Sequence, residues 1–289
     1  MTLDLLDRIV RRLTFLGPLG ELLNKWLAQL GAASGAGAGP AKDLLNGTWL
    51  GHPLHPALTN LPIGAWGSAA VLDLLDGGAG EGLGKGADLL LALGCLAGAA
   101  AAATGLADWQ DQYGKQRDLG TAHGLVNTVA LGLCSTSMLL RWKGARRPAV
   151  RFSLAGASMA GLGAYIGGDM VFREGMQVNR NAFNSGPKKW TAVADEGEVV
   201  DDAFVRKQAG NNQVLLRRFE GQVCAVGAVC SHAGGPLDEL PLEDGQLHCP
   251  WHGSHFDLRS GRVTHGPATT PNPVFETRVN QGKVEIRRP

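Results

Sequence analysis

Aromatic side chains are scarce: the chain of 289 residues holds two tyrosines, and all aromatics together make up 6%. Charge is also scarce, at 18%, and nearly balanced, with 27 Lys and Arg against 26 Asp and Glu for a net +1. No global basic field results, which removes the electrostatic basis for nucleic-acid binding. Cysteine is limited to positions 95, 134, 224, 230 and 249, too few and too scattered for a disulfide framework. Cys95 and Cys134 lie in apolar runs and Cys224 in a strand-like run, so these three read as small core residues. A cleavable leader is not expected either. Met1 to Leu16 are interrupted by Asp4, Asp7, Arg8, Arg11 and Arg12 and lack a continuous apolar core. Their apolar residues recur at helical spacing. They fit an amphipathic helix, either on a membrane surface or packed on the body of the protein.

Glycine is abundant, at 42 residues. With alanine and leucine it dominates the chain up to about Phe172, beyond which the sequence turns polar and strand-like. At about 150 residues per domain there is room for two domains. Residues 1–50 read as amphipathic helices broken at Gly17-Pro18 and followed by a Gly/Ala linker, Gly31 to Pro40. Four apolar segments follow within residues 51–178: Leu58 to Leu75, Leu89 to Leu106, Leu125 to Leu140 (extendable to Trp142) and Phe152 to Phe172. Each approaches the ~20 residues that cross a hydrocarbon core, with Trp109, Trp142 and Phe172 at the ends as interfacial anchors. A buried water-soluble bundle is the alternative. Gly94/Gly98 and Gly163/Gly167 would let helices approach closely. With four spans, eleven of the Lys and Arg up to Lys189 fall on the side of the termini and six on the other, which leans towards a cytoplasmic amino terminus and cluster domain in a prokaryotic cell. Residues 179–189 read as a polar tether. Residues 190–289 read as all-β, with runs Gln213–Phe219, Gln222–Val229 and Val274–Val279 and hairpin turns at Glu220-Gly221 and Asn280-Gln-Gly282.

Within that last segment stand Cys230-Ser-His232 and Cys249-Pro-Trp-His252-Gly253. Two thiolates and two imidazoles fit a two-iron two-sulfur centre in which two histidines replace two cysteines on one iron. They also make a zinc ligand set, although zinc fingers usually pair cysteine with cysteine and histidine with histidine. The stretches Cys230-Ser-His-Ala-Gly-Gly-Pro-Leu237 and Cys249-Pro-Trp-His-Gly-Ser-His-Phe-Asp257 resemble the two cluster loops of Rieske ferredoxins. Gly266-Pro267-Ala268 is similar to the proline loop that covers the cluster in that family. The resemblance implies an antiparallel sandwich with the cluster at one tip. It implies a [2Fe-2S] cluster with Cys230 and Cys249 on the iron that stays ferric and His232 and His252 on the iron that is reduced. Trp251, Ser254 and Pro267 would surround it. High-potential relatives in cytochrome bc complexes carry an extra disulfide and a tyrosine. Here Gly235, Trp251 and Phe256 occupy those places and Ser254 is kept. A ferredoxin-type potential of roughly −150 to +50 mV is expected, the lower part of the Rieske range. His248, His255 and His265 receive no site assignment.

His52 and His55 precede the first apolar segment and His123 opens the third. Asp108 closes the second, and Asp169 lies near the end of the fourth. Four crossings would gather these five groups on one side, where ionisable residues at membrane depth point to function. They could bind a b-type haem or a metal, serve a quinone, or merely cap helix ends. The run His52-Pro-Leu-His-Pro-Ala-Leu-Thr-Asn-Leu-Pro-Ile-Gly64, with Thr104-Gly-Leu-Ala-Asp108 and Gly167-Gly168, resembles an uncharacterised bacterial four-span membrane domain often joined to a Rieske domain. Asp169 stands where similar proteins often have histidine, which would put haem binding in doubt were that histidine a ligand.

The expected fold is therefore multidomain, α plus β: a four-helix transmembrane bundle followed by an all-β Rieske sandwich. The expected role is a membrane-anchored electron-transfer protein. Its partners would be a ferredoxin reductase-like or respiratory redox protein, membrane lipid and, in one version, a quinone. A redox or iron sensor and a haem- or quinone-linked oxidoreductase subunit are the alternatives. A Rieske oxygenase is excluded by length, because 32 residues after Asp257 cannot form a catalytic domain with its own iron site.

Overall fold

The alanine- and leucine-rich half of the chain folds into helices and the polar half into strands. The computed structural model describes residues 8, 10, 12–33, 38–77, 82–184 and 186–289. The helices are α1 (Leu16–Ala33), α2 (Ala38–Asn46), α3 (Leu54–Asp76), α4 (Leu83–Trp109), α5 (Gly114–Trp142) and α6 (Arg146–Phe172). Most of the helix expected over residues 1–16 lies outside the described residues. Pro18 falls in the first turn of α1, where a missing N–H breaks no helical hydrogen bond. The four long helices outrun their apolar segments because polar ends, such as Gly114–Asp118, continue the helix. Of the four expected spans, α4 and α5 are long and apolar enough to cross a membrane. Prolines, acidic residues and small polar residues dilute α3, and arginines, glycines and serines dilute α6.

The chain divides into two units, and the division differs from the one expected. The first comprises the chain up to Ala38 together with Leu54–Met176. In it α3 packs on α4 and α6, and α5 packs on the same two, so α3 and α5 form the diagonal pair. The glycines at fourfold spacing receive large side chains rather than a neighbouring backbone. Trp66 of α3 lies on Gly94 and Gly98 of α4, so close that a Cβ on Gly94 would fall 2.5 Å from the indole. Asn127 and His123 of α5 lie in the same way on Gly163 and Gly167 of α6. At one end Asp73 of α3, buried, pairs with Arg141 of α5 and Arg146 of α6, and both arginines also pair with Asp88 of α4. Ser153 donates to Asp73 at 2.7 Å, so the carboxylate is fully engaged. Helix α1 buries Leu16 against Leu119 and Ala122. Its Leu22 and Trp26 remain exposed.

The second unit comprises Gly39–Pro53 and Gln177–Pro289. Residues 39–53 are thus not the end of a linker. Helix α2 belongs to this unit, and residues 34–37 of the expected linker lie outside the described residues. The expected tether over 179–189 is likewise folded in. Buried Asn181 donates to Val229 O and to Asn272 Oδ1, both at 2.9 Å, satisfying loop acceptors that burial cuts off from water. The strands are β1 (Thr191–Asp195), β2 (Val205–Ala209), β3 (Asn212–Phe219), β4 (Gln222–Gly227), β5 (Gln246–His248), β6 (His255–Asp257), β7 (Val263–His265), β8 (Val274–Asn280) and β9 (Lys283–Arg287). A six-stranded sheet runs in the order β1-β9-β8-β4-β3-β2, and β5-β6-β7 form a second, small sheet. The β3–β4 hairpin turns at Glu220-Gly221 and the β8–β9 hairpin at Gln281-Gly282. All four turn residues have positive φ, as primed two-residue turns require. Strand β3 does not alternate in burial, because Leu215 packs towards the small sheet while Val214 and Leu216 pack on the other face. A strand covered on both sides reads as a continuous apolar run.

Candidate metal centre

Three loops of the second unit converge: 228–238 after β4, 249–254 between β5 and β6, and 266–273 after β7. Each is held by local backbone bonds. Cys230 N–H donates to Gly235 O at 2.8 Å and Gly234 N–H returns to Cys230 O at 2.9 Å, closing the first loop. Cys249 N–H donates to Ser254 O at 2.8 Å and Gly253 N–H to Cys249 O at 3.1 Å, closing the second in the same way. Gly235 is required by close approach, since a Cβ there would sit 2.8 Å from Cys249 Sγ.

The loops bring together the four residues expected from the motif, and they do so as two pairs. Cys230 and Cys249 are buried and share a thiol–thiol hydrogen bond, which pulls Cys249 down to about 6 and pushes Cys230 up. Backbone N–H groups of His232 and Ala233 point at the sulfur of Cys230, and those of Trp251 and His252 at the sulfur of Cys249. Such donors stabilise negative charge on thiolates. The imidazoles of His232 and His252 face each other edge-on with centroids 4.9 Å apart. The Nδ1 atoms of both are buried, and that of His232 has no hydrogen-bond partner among the described residues. A buried ring nitrogen without a partner is costly unless something binds it. Burial, then the proximity of His252, Lys42 and Arg180, lowers the His232 pKa to about 3, so the ring is neutral and its lone pair available. Among the described residues no three His, Cys, Asp or Glu side chains group tightly enough to hold one ion. A two-plus-two arrangement fits a binuclear group better than a single zinc.

The surrounding residues expected from the sequence are at the site. Ser254 is fully buried, and its Oγ accepts the Ala268 N–H at 3.0 Å, tying the second loop to the Gly266-Pro267-Ala268 segment. Trp251 is half exposed beside His252. Phe256 is completely buried and brings no hydroxyl.

Two features were not foreseen. The first is Asp43 of α2, whose carboxylate accepts the Gly266 N–H at 2.7 Å and faces His265 Nδ1 at 2.9 Å. A sequence separation of more than two hundred residues hides it, although Asn46-Gly47 is a recognisable helix stop. The second is a row of histidines across the small sheet. His248 stacks on His255 with centroids 3.8 Å apart, and His255 lies 5.1 Å from His265. Burial, with His248 and His265 alongside, lowers the pKa of His255. Alone, His255 and His265 read as ordinary loop histidines and His248 as a strand residue facing away from the ligands; the strand register aligns them.

Of the five groups expected to gather in the helical half, the structure brings together two. His55 and His123 meet edge-on with centroids 6.1 Å apart. His52 is exposed, lies in the other unit and has its Nδ1 3.1 Å from Pro53 O. Asp169 faces Arg173 at 3.9 Å, one helical turn away, and Asp108 is buried near the end of α4. A metal site built from all five does not form among the described residues. His123 lies well inside α5 rather than at its start, because that helix begins at Gly114.

Comparison with known proteins bears on both units. The Rieske [2Fe-2S] domain family matches residues 189–278 and a predicted membrane protein family (DUF2231) matches residues 51–180. The anthranilate 1,2-dioxygenase ferredoxin subunit of Burkholderia cepacia is 30% identical over 98 residues, covering 34% of this chain and 91% of that protein. The 3-phenylpropionate/cinnamic acid dioxygenase ferredoxin subunit of Photorhabdus laumondii is 32% identical over 90 residues, covering 31% of this chain and 86% of that protein. Among solved structures, the ferredoxin of carbazole 1,9a-dioxygenase from Nocardioides aromaticivorans IC177 aligns at 22% identity with a TM-score of 0.33, over 35% of this chain and 100% of that one.

Proposed function

The chain belongs to the Rieske [2Fe-2S] family through its C-terminal domain, and from that premise we propose that it is a membrane-anchored carrier of single electrons. The observation that carries the reading is the pairing of two buried thiols and two imidazoles, with the buried Nδ1 of the neutral His232 ring lacking any other partner among the described residues. Cys230 and Cys249 would hold one iron, and His232 and His252 the other through Nδ1. When bound, the cluster accepts and returns one electron. The chain's part is to fix the ligands, to aim four backbone N–H groups at the sulfurs and to keep water out with Leu237, Phe256 and Ala268. Half-exposed Trp251, with Lys42 and Arg180 near His232, offers a redox partner an apolar landing point with positive potential around it. A ferredoxin reductase-like donor and an oxidoreductase acceptor suit such a tip.

Membrane anchoring rests on α3 to α6. Little of α4 or α5 is buried within its own unit, and Leu89, Leu93, Leu96, Val129 and Leu139 point outward. Apolar surface on that scale needs lipid or a partner to cover it. Two of the basic residues on the side away from the termini, Arg141 and Arg146, are engaged with Asp73 and Asp88. Basic residues on the side of the termini, such as Lys115 and Arg173, are paired as well, and the excess of Lys and Arg up to Lys189 on that side supports a cytoplasmic Rieske domain.

An electron paramagnetic resonance redox titration of the detergent-purified full chain tests the reading. A buried Phe256 in place of a hydroxyl donor predicts a midpoint of roughly −150 to +50 mV. A midpoint near +300 mV would overturn the low-potential assignment, and protein without iron would end the electron-carrier reading.

A further inference from the structure

The diagonal helices α3 and α5 each send one histidine into the helical unit, and the two are held in equivalent ways. His55 Nδ1 lies 2.8 Å from Ala101 O of α4, and His123 Nδ1 lies 3.0 Å from Gly163 O of α6. A carbonyl can only accept, so Nδ1 carries the proton in both rings and Nε2 presents its lone pair. Four residues beyond each carbonyl stands a glycine against which the ring rests. A Cβ at Gly105 would fall 2.7 Å from His55 Cε1, and one at Gly167 would fall 3.1 Å from His123 Cε1. The two helix pairs, α3–α4 and α5–α6, thus repeat one device: histidine, partner-helix carbonyl, glycine four residues on. Nε2 of His55 has no hydrogen-bond partner among the described residues. Nε2 of His123 accepts from Asn127 Nδ2 at 3.2 Å; that amide also donates to His123 O at 2.9 Å and would keep this shorter bond when a ligand takes its place on Nε2.

We propose that His55 and His123 are the two axial ligands of one b-type haem in the helical unit. Donation of the second ring N–H to a backbone carbonyl is the usual way a ligating histidine is oriented and its free nitrogen made more basic. Two imidazoles on opposite faces of one metal, at bonds of about 2.0–2.1 Å, have centroids about 6 Å apart, and the separation here is 6.1 Å. Among the described residues the site offers two ligands and no third His, Cys, Asp or Glu. A bare ion would be left under-coordinated, whereas a porphyrin supplies the remaining four nitrogens itself. Cofactors in four-helix proteins sit between facing helices in this manner. Asp169, which faces Arg173 one helical turn away, is not needed for a two-histidine site. His52, exposed and tied to its own loop, is not a ligand.

The test uses the full chain expressed in membranes of a host supplied with iron and δ-aminolevulinate. Optical, pyridine haemochrome and paramagnetic spectra are recorded on the same detergent-purified sample. The expected result is one haem per chain with a sharp α band on reduction. The ring planes, 88° apart, should give a strongly anisotropic low-spin ferric signal. His55→Ala and His123→Ala should each lower low-spin haem at least tenfold, with added imidazole restoring the spectrum, while His52→Ala leaves it unchanged. The cluster signal is read separately and should persist in every variant, so failure of the haem assignment is distinguishable from failure of the Rieske reading. Wild-type protein with a full cluster signal and no porphyrin would overturn the proposal. So would haem retained by both alanine variants, or a metal bound there without porphyrin.

Discussion

Single residues around the metal centre are set by what the thiolates and the loop amides need. Ser254 is the sharpest case: fully buried, it accepts the Ala268 N–H and keeps its own hydroxyl proton for donation. Ser254→Ala removes both functions. The orphaned amide should cost about 1–3 kcal/mol, read as a lower thermal midpoint of the loaded protein. Loss of a hydroxyl donor should also move the redox midpoint downward, because donors to cluster sulfurs raise it. A variant with unchanged midpoint would show that the hydroxyl points elsewhere. Residues of this kind were legible in the sequence, since Cys230, His232, Cys249, His252 and Ser254 lie within two short loops whose spacing survives folding. Asp43 was not legible. Its partners, His265 and Gly266, are distant in sequence, and an aspartate in a short helix carries no local mark of its role.

Elements show why composition alone misleads. Helix α2 emerges from a glycine- and alanine-rich stretch, yet it presses Asp43, Asn46 and Thr48 against Gly266, where a Cβ would lie 3.0–3.3 Å from their polar atoms. It acts as a clamp on the loop that follows β7. Asp43→Ala should release the Gly266 N–H and loosen that loop. The expected outcome is severalfold faster loss of the cluster's visible absorbance in the presence of a chelator, with the ligands intact. Asp43→Asn, which can still accept the Gly266 N–H, should fall between the two; equal rates in all three proteins would remove the clamp. The small sheet makes a similar point. Its row of three histidines depends on strand register, which the hairpin turns between β5, β6 and β7 set and a linear reading does not display. The glycine pairs of α4 and α6 were visible as close-approach sites, but only the fold shows that Trp66 and His123 fill them.

At the scale of the whole molecule, the first charge network to consider is the one joining all four long helices: Asp73, Asp88, Arg141 and Arg146. A buried arginine that loses its partner is costly. Asp73→Asn should destabilise the helical unit by about 3–5 kcal/mol, read as a lower unfolding midpoint in detergent. Replacing the partner as well, in Asp73→Asn with Arg141→Met, should recover much of the loss. No recovery would mean that the carboxylate serves something other than these arginines. In the sequence Arg141 and Arg146 counted only as basic residues beyond the third apolar segment, because a chain read linearly does not show that Arg141 faces inward.

Because Pro53 and Gln177 both belong to the C-terminal unit, the 54–176 segment leaves that unit and returns to it. A thread that starts and finishes in the same compartment passes through a bilayer an even number of times. Two crossings or four satisfy that parity, and one or three do not. If the helical unit crosses a bilayer and the C-terminal unit stays on one side, the number of passages between Pro53 and Gln177 is therefore even.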